Sequence, residues 1–351
     1  MSTAAATNTR RERVLLFLVT ACVVAYPPLY AVLRSGARGF FSYVRGDAFL
    51  YLTIARNSHA GFFSFDGTYP TNGFHPLWQY YLAALIPFGA EPGSMAPVHV
   101  ALFSSLACVA LGAGLAAVAI QRITRSWMLG CLVMPGVYYM LPGSIFVSQP
   151  IWEMVSGMEC GASTLFGGAL LYLISLHQDT PHDELLARRG LGSPFMQLGL
   201  LLPFVVMTRL DDVFLLPALA LAVWWSFGLQ PVRERIAAIL RLGVPSALVV
   251  VAYVTFNRSY AGTFLPISGA VKNGFPLVLN TYLIASALFA PLVDLKNHFA
   301  PHPTDPVLLY NTGHRIVQLL APTVFACVYG LWTVRKRPRG FVDVVSLGLA
   351  G

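Results

Sequence analysis

Asp47 opens the stretch GDAFLYLTIARN (46–57), and a little further on the chain reads YPTNGFHPLW (69–78). A carboxylate in the first turn of a helix is favoured in its ionised form by the helix dipole, and an ionised carboxylate can accept a proton. Asn72 and His75 are hydrogen-bonding groups in a segment rich in turn signals, Asp66-Gly67 and Asn72-Gly73. Glu159 follows in SGMECG, and Arg209, Asp211 and Asp212 in TRLDD. Arg258 and Lys272 belong to the Gly- and Pro-rich stretch NRSYAGTFLPISGAVKNGFP, where two cations can hold a phosphate. Each group also has a purely structural reading: Asp47 as an N-cap, Asn72 and His75 as ties within a loop, the cations as lipid-headgroup contacts.

The elements that position these groups are apolar. Hydrophobic residues make up 56 % of the 351 and charged ones only 11 %, with a mean hydropathy of +0.65. A soluble chain carries roughly 25 % charged residues, so this composition belongs to the membrane class. Apolar runs predict spans at Val14–Leu33, Ala96–Ile120, Trp127–Leu141, Met158–Leu176, Met196–Met207, Val213–Phe227, Leu242–Phe256 and Ile316–Val334. His75–Phe88 and Pro276–Val293 are ambiguous, the first being too short to cross. The expectation is an all-α polytopic bundle of about eight spans, one unit over residues 1–351. Val14–Leu33 is long for a signal-peptide core and lacks a small-residue cleavage site, so it reads as a retained helix.

Charge sets the orientation. With neither ambiguous piece crossing, one side holds fourteen cations against six acids, and the other nine against nine. The net charge of +8 then lies wholly on the N-terminal side, which the positive-inside rule makes cytoplasmic. Residues 34–95 become the first external loop, with Asp47–Ala60 as a helix lying in the interface, ended by Gly61, and a second starting at Pro76. Asp47, Glu159, Asp211 and Asp212 all fall on the external side. The C-terminal FVDVVSLGLAG, after the basic RKRPRG, reads as a helix cut short.

Several classes are excluded. No basic helix is interleaved with aromatics, so no nucleic-acid partner is expected. There is no phosphate loop of the Walker type and no H-E-x-x-H. The five cysteines lie in or beside apolar segments without paired spacing, as small apolar residues. His298, His302, Asp305 and His314 have no regular ligand spacing, so no metal and no cofactor is predicted.

As a set, GDAFLYLTIARN, PTNGFHPLW, SGMECG, TRLDD and GTFLPISGAVK resemble the GT-C superfamily of polytopic glycosyltransferases, over roughly residues 10–335. The branch resembled includes protein mannosyltransferases, aminoarabinose transferases and arabinofuranosyltransferases. TNGFHPLW after an acid-led helix is the most specific element. The resemblance implies a sugar donor linked to polyprenyl phosphate, an envelope glycan, lipid or protein as acceptor, and membrane lipids as surroundings. It implies Asp47 as general base, inversion at the anomeric carbon, and no metal. Lys272 and Arg258 match basic groups that hold the donor phosphate, and Glu159 a glutamate that binds sugar or acceptor; Asn72, His75, Arg209 and Asp211 complete the expected binding set. Many relatives have an acidic pair where this chain has Gly46-Asp47. The competing readings are a lipid or solute transporter, which places its charges near the midplane, and an inactive scaffold that binds a lipid-linked sugar.

Overall fold

A computed structural model describes residues 3–34, 44, 46–58, 61–86, 94–140, 150–264 and 266. Among these the chain is helical throughout, with one isolated antiparallel bridge between Ser64 and Pro70. The helices are α1 (Thr3–Arg34), α2 (Gly46–Asn57), α3 (Pro76–Leu85), α4 (Ala96–Thr124), α5 (Trp127–Pro135), α6 (Pro150–Met154), α7 (Cys160–Leu176), α8 (His182–Ala187), α9 (Pro194–Thr208), α10 (Leu215–Ser226) and α11 (Val232–Ala261). Single turns of 3-10 helix cover Gly190–Gly192 and Leu210–Phe214, and a π turn covers Gly136–Met140.

Among the described residues three helices are long and apolar enough to cross a bilayer: Arg10–Arg34 of α1, α4 and α11. Trp127–Tyr138, α7 and α9 are apolar but shorter. Of the seven expected crossings that fall on the described residues, three are therefore matched at full length. Pro135 and the π turn divide the segment expected at 127–141, and the segment expected from Val213 gives only the 12-residue α10 after a 3-10 turn. Conversely, α11 starts ten residues before the expected Leu242, because the charged stretch VRERIAAILR continues the helix. The candidate spans Pro276–Val293 and Ile316–Val334 lie outside the described residues.

α4 is the central element, packed along α1, α5 and α7. Its contact with α7 is backbone against backbone. A Cβ on Gly168 would lie 2.2 Å from the Gly112 carbonyl oxygen, and one on Gly112 would lie 2.3 Å from that of Thr164. Small residues of this kind let membrane helices approach where lipid offers no hydrophobic drive. α9 meets α11 in the same way at Gly199, whose Cβ would be 2.2 Å from the Arg241 carbonyl oxygen.

The bundle has two polar ends. At one, both oxygens of Asp179 accept from Arg125 at 2.9 Å, Gln178 bonds the Arg122 carbonyl, and Arg241 donates to the carbonyls of Leu186 and Arg188. At the other, α2 and α3 cover the ends of α1, α4 and α7, burying Ala48, Leu52, Trp78, Leu82, Val98, Leu102 and Ala162 in one cluster with Val32. From Val98 to Val118 along α4 the rise is roughly 30 Å at 1.5 Å per residue, the thickness of a hydrocarbon core.

Candidate functional site at the covered end of the bundle

α2 spans 46–57, three residues short of the expected end at Ala60. The Asn57 carboxamide is drawn out to donate to the carbonyls of Ser64 (3.1 Å) and Phe65 (3.0 Å). Beyond it, Asp66 accepts from the backbone N–H of Thr68 (2.8 Å) and Tyr69 (3.0 Å), and these bonds hold its carboxyl well below the usual range. The turn thus closed leads to α3, which has 10 residues and lies with Trp78, Gln79 and Leu82 buried. At about 15 Å it is too short to cross.

Tyr51 is the hub of the site. Its hydroxyl accepts the backbone N–H of His75 at 3.2 Å, and its carbonyl accepts from Gln79 Nε2 at 3.2 Å. Burial, and then the charge of Glu159 to which it is hydrogen-bonded, hold the phenol far above its ordinary value. Tyr51 is therefore a permanent donor toward that carboxylate. Glu159 sits at the N-cap of α7 and is 4 % exposed, and its Oε2 has no hydrogen-bond partner among the described residues.

The chain reaches Glu159 through Gly157, where φ is +83°. A Cβ there would touch the methyls of Ala101 (3.4 Å) and Ala48 (3.6 Å), so SGMECG is pressed between α2 and α4. Trp78 Nε1 donates to the Gly157 carbonyl at 3.0 Å, which fixes α3 to the same turn.

His75 joins three segments. Its Nδ1 accepts the Leu210 N–H at 3.2 Å, which assigns the proton of the neutral ring to Nε2. Nε2 faces Glu159 Oε1 at 3.6 Å, longer than a hydrogen bond. Burial pushes the imidazole below its ordinary 6.5, against the opposing pull of Glu159 and Asp211. Asp212 is half-buried, and its carboxyl is pushed up by that burial against the field of Arg209. Arg209 and Asp211 form an exposed pair at 3.9 Å, a separation and exposure that add little stability.

The remaining expected residues are placed as follows. Asp47 is exposed in the first turn of α2, one helical turn before Tyr51 and so on the same face. The Cα of Gly46 beside it has open space where a side chain would go. Asn72 is buried and donates to Thr263 Oγ1 at 3.4 Å, just past the end of α11. Tyr260 reaches the same loop, donating to the Phe63 carbonyl at 2.8 Å. Arg258 bonds the Gly262 carbonyl and lies over the Phe264 ring at 5.2 Å, so it closes its own helix end rather than joining Glu159. Lys272 lies outside the described residues, as do His298, His302, Asp305 and His314. Among the described residues no group of three His, Cys, Asp or Glu side chains is arranged to hold a metal.

The site therefore unites GDAFLYLTIARN, TNGFHPLW, SGMECG and TRLDD through direct bonds. Tyr51, Trp78, Gln79 and Leu210 were not singled out in the sequence. Only Tyr51 carried a signal, its place one turn after Asp47. Chemically, the arrangement offers a buried carboxylate, Glu159, whose Oε2 is free to accept a hydrogen bond from a hydroxyl, and an exposed one, Asp47, at the head of the helix that carries Tyr51. No family model, no curated protein and no solved structure matches the chain.

Proposed function

We propose that this chain is an integral-membrane glycosyltransferase of the GT-C type, which moves a sugar from a polyprenyl-phosphate donor to an acceptor hydroxyl. In this reading the protein lies in the plasma membrane with about eight crossings, the shorter ones fitted by local thinning of the bilayer and snorkelling of flanking residues. Its N-terminus is cytoplasmic and Asp47 stands at the outer face. Asp47 takes the proton of the acceptor hydroxyl as that oxygen attacks the anomeric carbon. The bond from that carbon to the phosphate oxygen breaks, the configuration inverts, and polyprenyl phosphate leaves. A positioned base contributes roughly 10²–10⁴ in rate. Glu159, with its unpartnered oxygen, holds a hydroxyl of sugar or acceptor, while Asn72, His75, Arg209 and Asp211 shape the site. Lys272 and Arg258 serve the leaving phosphate.

The observation that carries the reading is the convergence of the four motif segments on Tyr51, His75 and Glu159 at one end of the bundle. A transporter would place such charges near the midplane. The test follows label from a panel of radiolabelled polyprenyl-phosphate sugars into envelope acceptors, using membranes that hold wild type or Asp47→Asn. Transfer by wild type and its loss by at least 10²-fold in the variant is expected. Equal transfer by both removes Asp47 from its role, and transfer by neither returns the transporter or scaffold.

A further inference from the structure

At the opposite end of the bundle, a groove of about 330 Å³ lies between α1, α4 and α7. Arg10 and Arg13 line it, with Phe17, Leu115 and Val118 as apolar wall and Tyr172 on the α7 side. We infer that this groove holds the headgroup phosphate of an anionic phospholipid, whose acyl chain follows the apolar wall toward the bilayer.

The charges call for an anion. Arg10 and Arg13 are three residues apart and share a helix face, and Arg122 of α4 lies within electrostatic range of Arg13. Arg13 Nε is shut off from water and has no acceptor among the described residues. The acids at this end are engaged elsewhere: Asp179 with Arg125, Glu184 with Arg188, Asp183 with Gln230. Glu12 adjoins Arg13 in sequence and so points to a different face. The remaining described acid on this side, Glu234 in the first turn of α11, does not line the groove.

The apolar part selects a lipid over a soluble phosphate. Arg10 begins the apolar length Arg10–Arg34, so it stands at headgroup depth. Val14, Leu15 and Leu18 are each more than half exposed on the bundle surface, where acyl chains would lie. Phe17 is held flat on α4 because Gly114 has no Cβ, which would fall 2.6 Å from the ring. Basic pockets between membrane helices on the cytoplasmic side take anionic headgroups by this combination.

The test is native mass spectrometry of the full chain in detergent with phosphatidylglycerol and phosphatidylcholine of equal chain length. A several-fold preference for phosphatidylglycerol is expected in wild type, falling to the phosphatidylcholine level in Arg10→Gln/Arg13→Gln. Arg11→Gln/Arg233→Gln, which removes the same charge from outside the groove, should keep it. Photo-crosslinking of a diazirine phosphatidylglycerol to wild type should label α1 and α4 peptides at this end, whatever the fate of the variants. Equal retention of both lipids, equal losses in the two double variants, or labelling elsewhere would overturn the proposal. Displacement by millimolar glycerol phosphate would also overturn it, in favour of a soluble phosphate.

Discussion

Replacing Gly168 by alanine puts a methyl carbon 2.2 Å from the Gly112 carbonyl oxygen, where ordinary contact begins at 3.4 Å. The neighbour is backbone in the middle of α4, so no rotamer change can clear the clash, and the two helices must separate by about 1.2 Å. Overpacking of this kind costs about 1–3 kcal/mol, against a gain of about 1 kcal/mol from replacing glycine inside a helix. Gly167, the adjacent residue of α7, has no atom within 4 Å of its Cβ position and so takes only the gain. The gain is common to both variants, so they should differ by the overpacking cost of about 1–3 kcal/mol, Gly167→Ala rising slightly above wild type and Gly168→Ala falling below Gly167→Ala. At roughly 2–4 °C per kcal/mol this is a gap of about 2–12 °C in Tm, readable by tryptophan fluorescence during heating in detergent. Because Glu159 caps α7, Gly168→Ala should, under the proposed function, also depress sugar transfer. Equal melting of the two variants would refute the backbone contact between α4 and α7.

Tyr51→Phe keeps the ring and removes the hydroxyl, leaving the Glu159 carboxylate without its phenol. A loss of about 1–3 kcal/mol is expected, and Glu159→Gln in the same chain should recover part of it in a double-mutant cycle. The folded protein holds His75 below its ordinary 6.5, so the unfolded chain binds the proton first as the pH falls. The stability tied to its neutral ring is therefore full above 6.5 and is lost as pH drops from there through the folded value. Protonation of Nδ1 also breaks the bond from Leu210. Melting temperature between pH 7.5 and 5 should fall more steeply in wild type than in His75→Gln.

The membrane class, the two covering helices and the grouping of polar motifs could be read from the sequence, because hydropathy and turn residues act locally. A helix is expected from Asp47 to Ala60 and one is found at 46–57. Its last turn was misjudged because Asn57 bonds residues seven and eight further on, which no local pattern reveals. α3 was recognised as non-crossing from its length, with Pro76 at its first position. The number of crossings was less legible. Apolar content alone does not separate a helix that spans from one stopped by Pro135 or by the 3-10 turn at Leu210–Phe214. Within the site, Asp47, His75 and Glu159 stood out by residue type and position, whereas Tyr51 and Trp78 looked like ordinary apolar filling. Their roles depend on a phenol and an indole N–H meeting partners on other helices. Arg258, singled out by its charge, bonds the Gly262 carbonyl at the end of its own helix, a local contact that charge alone does not reveal.

The emptiness around Gly46 bears on the history of the site as well as its chemistry. The φ of Gly46 is not positive, and among the described residues no neighbour crowds the position. Any glycine codon becomes an aspartate or glutamate codon by one change at its second base. A second carboxylate next to Asp47 is thus within reach of a single mutational step, without a clash against any described residue. The single acid at the head of this helix is thus set by one base, and a second would meet no described side chain.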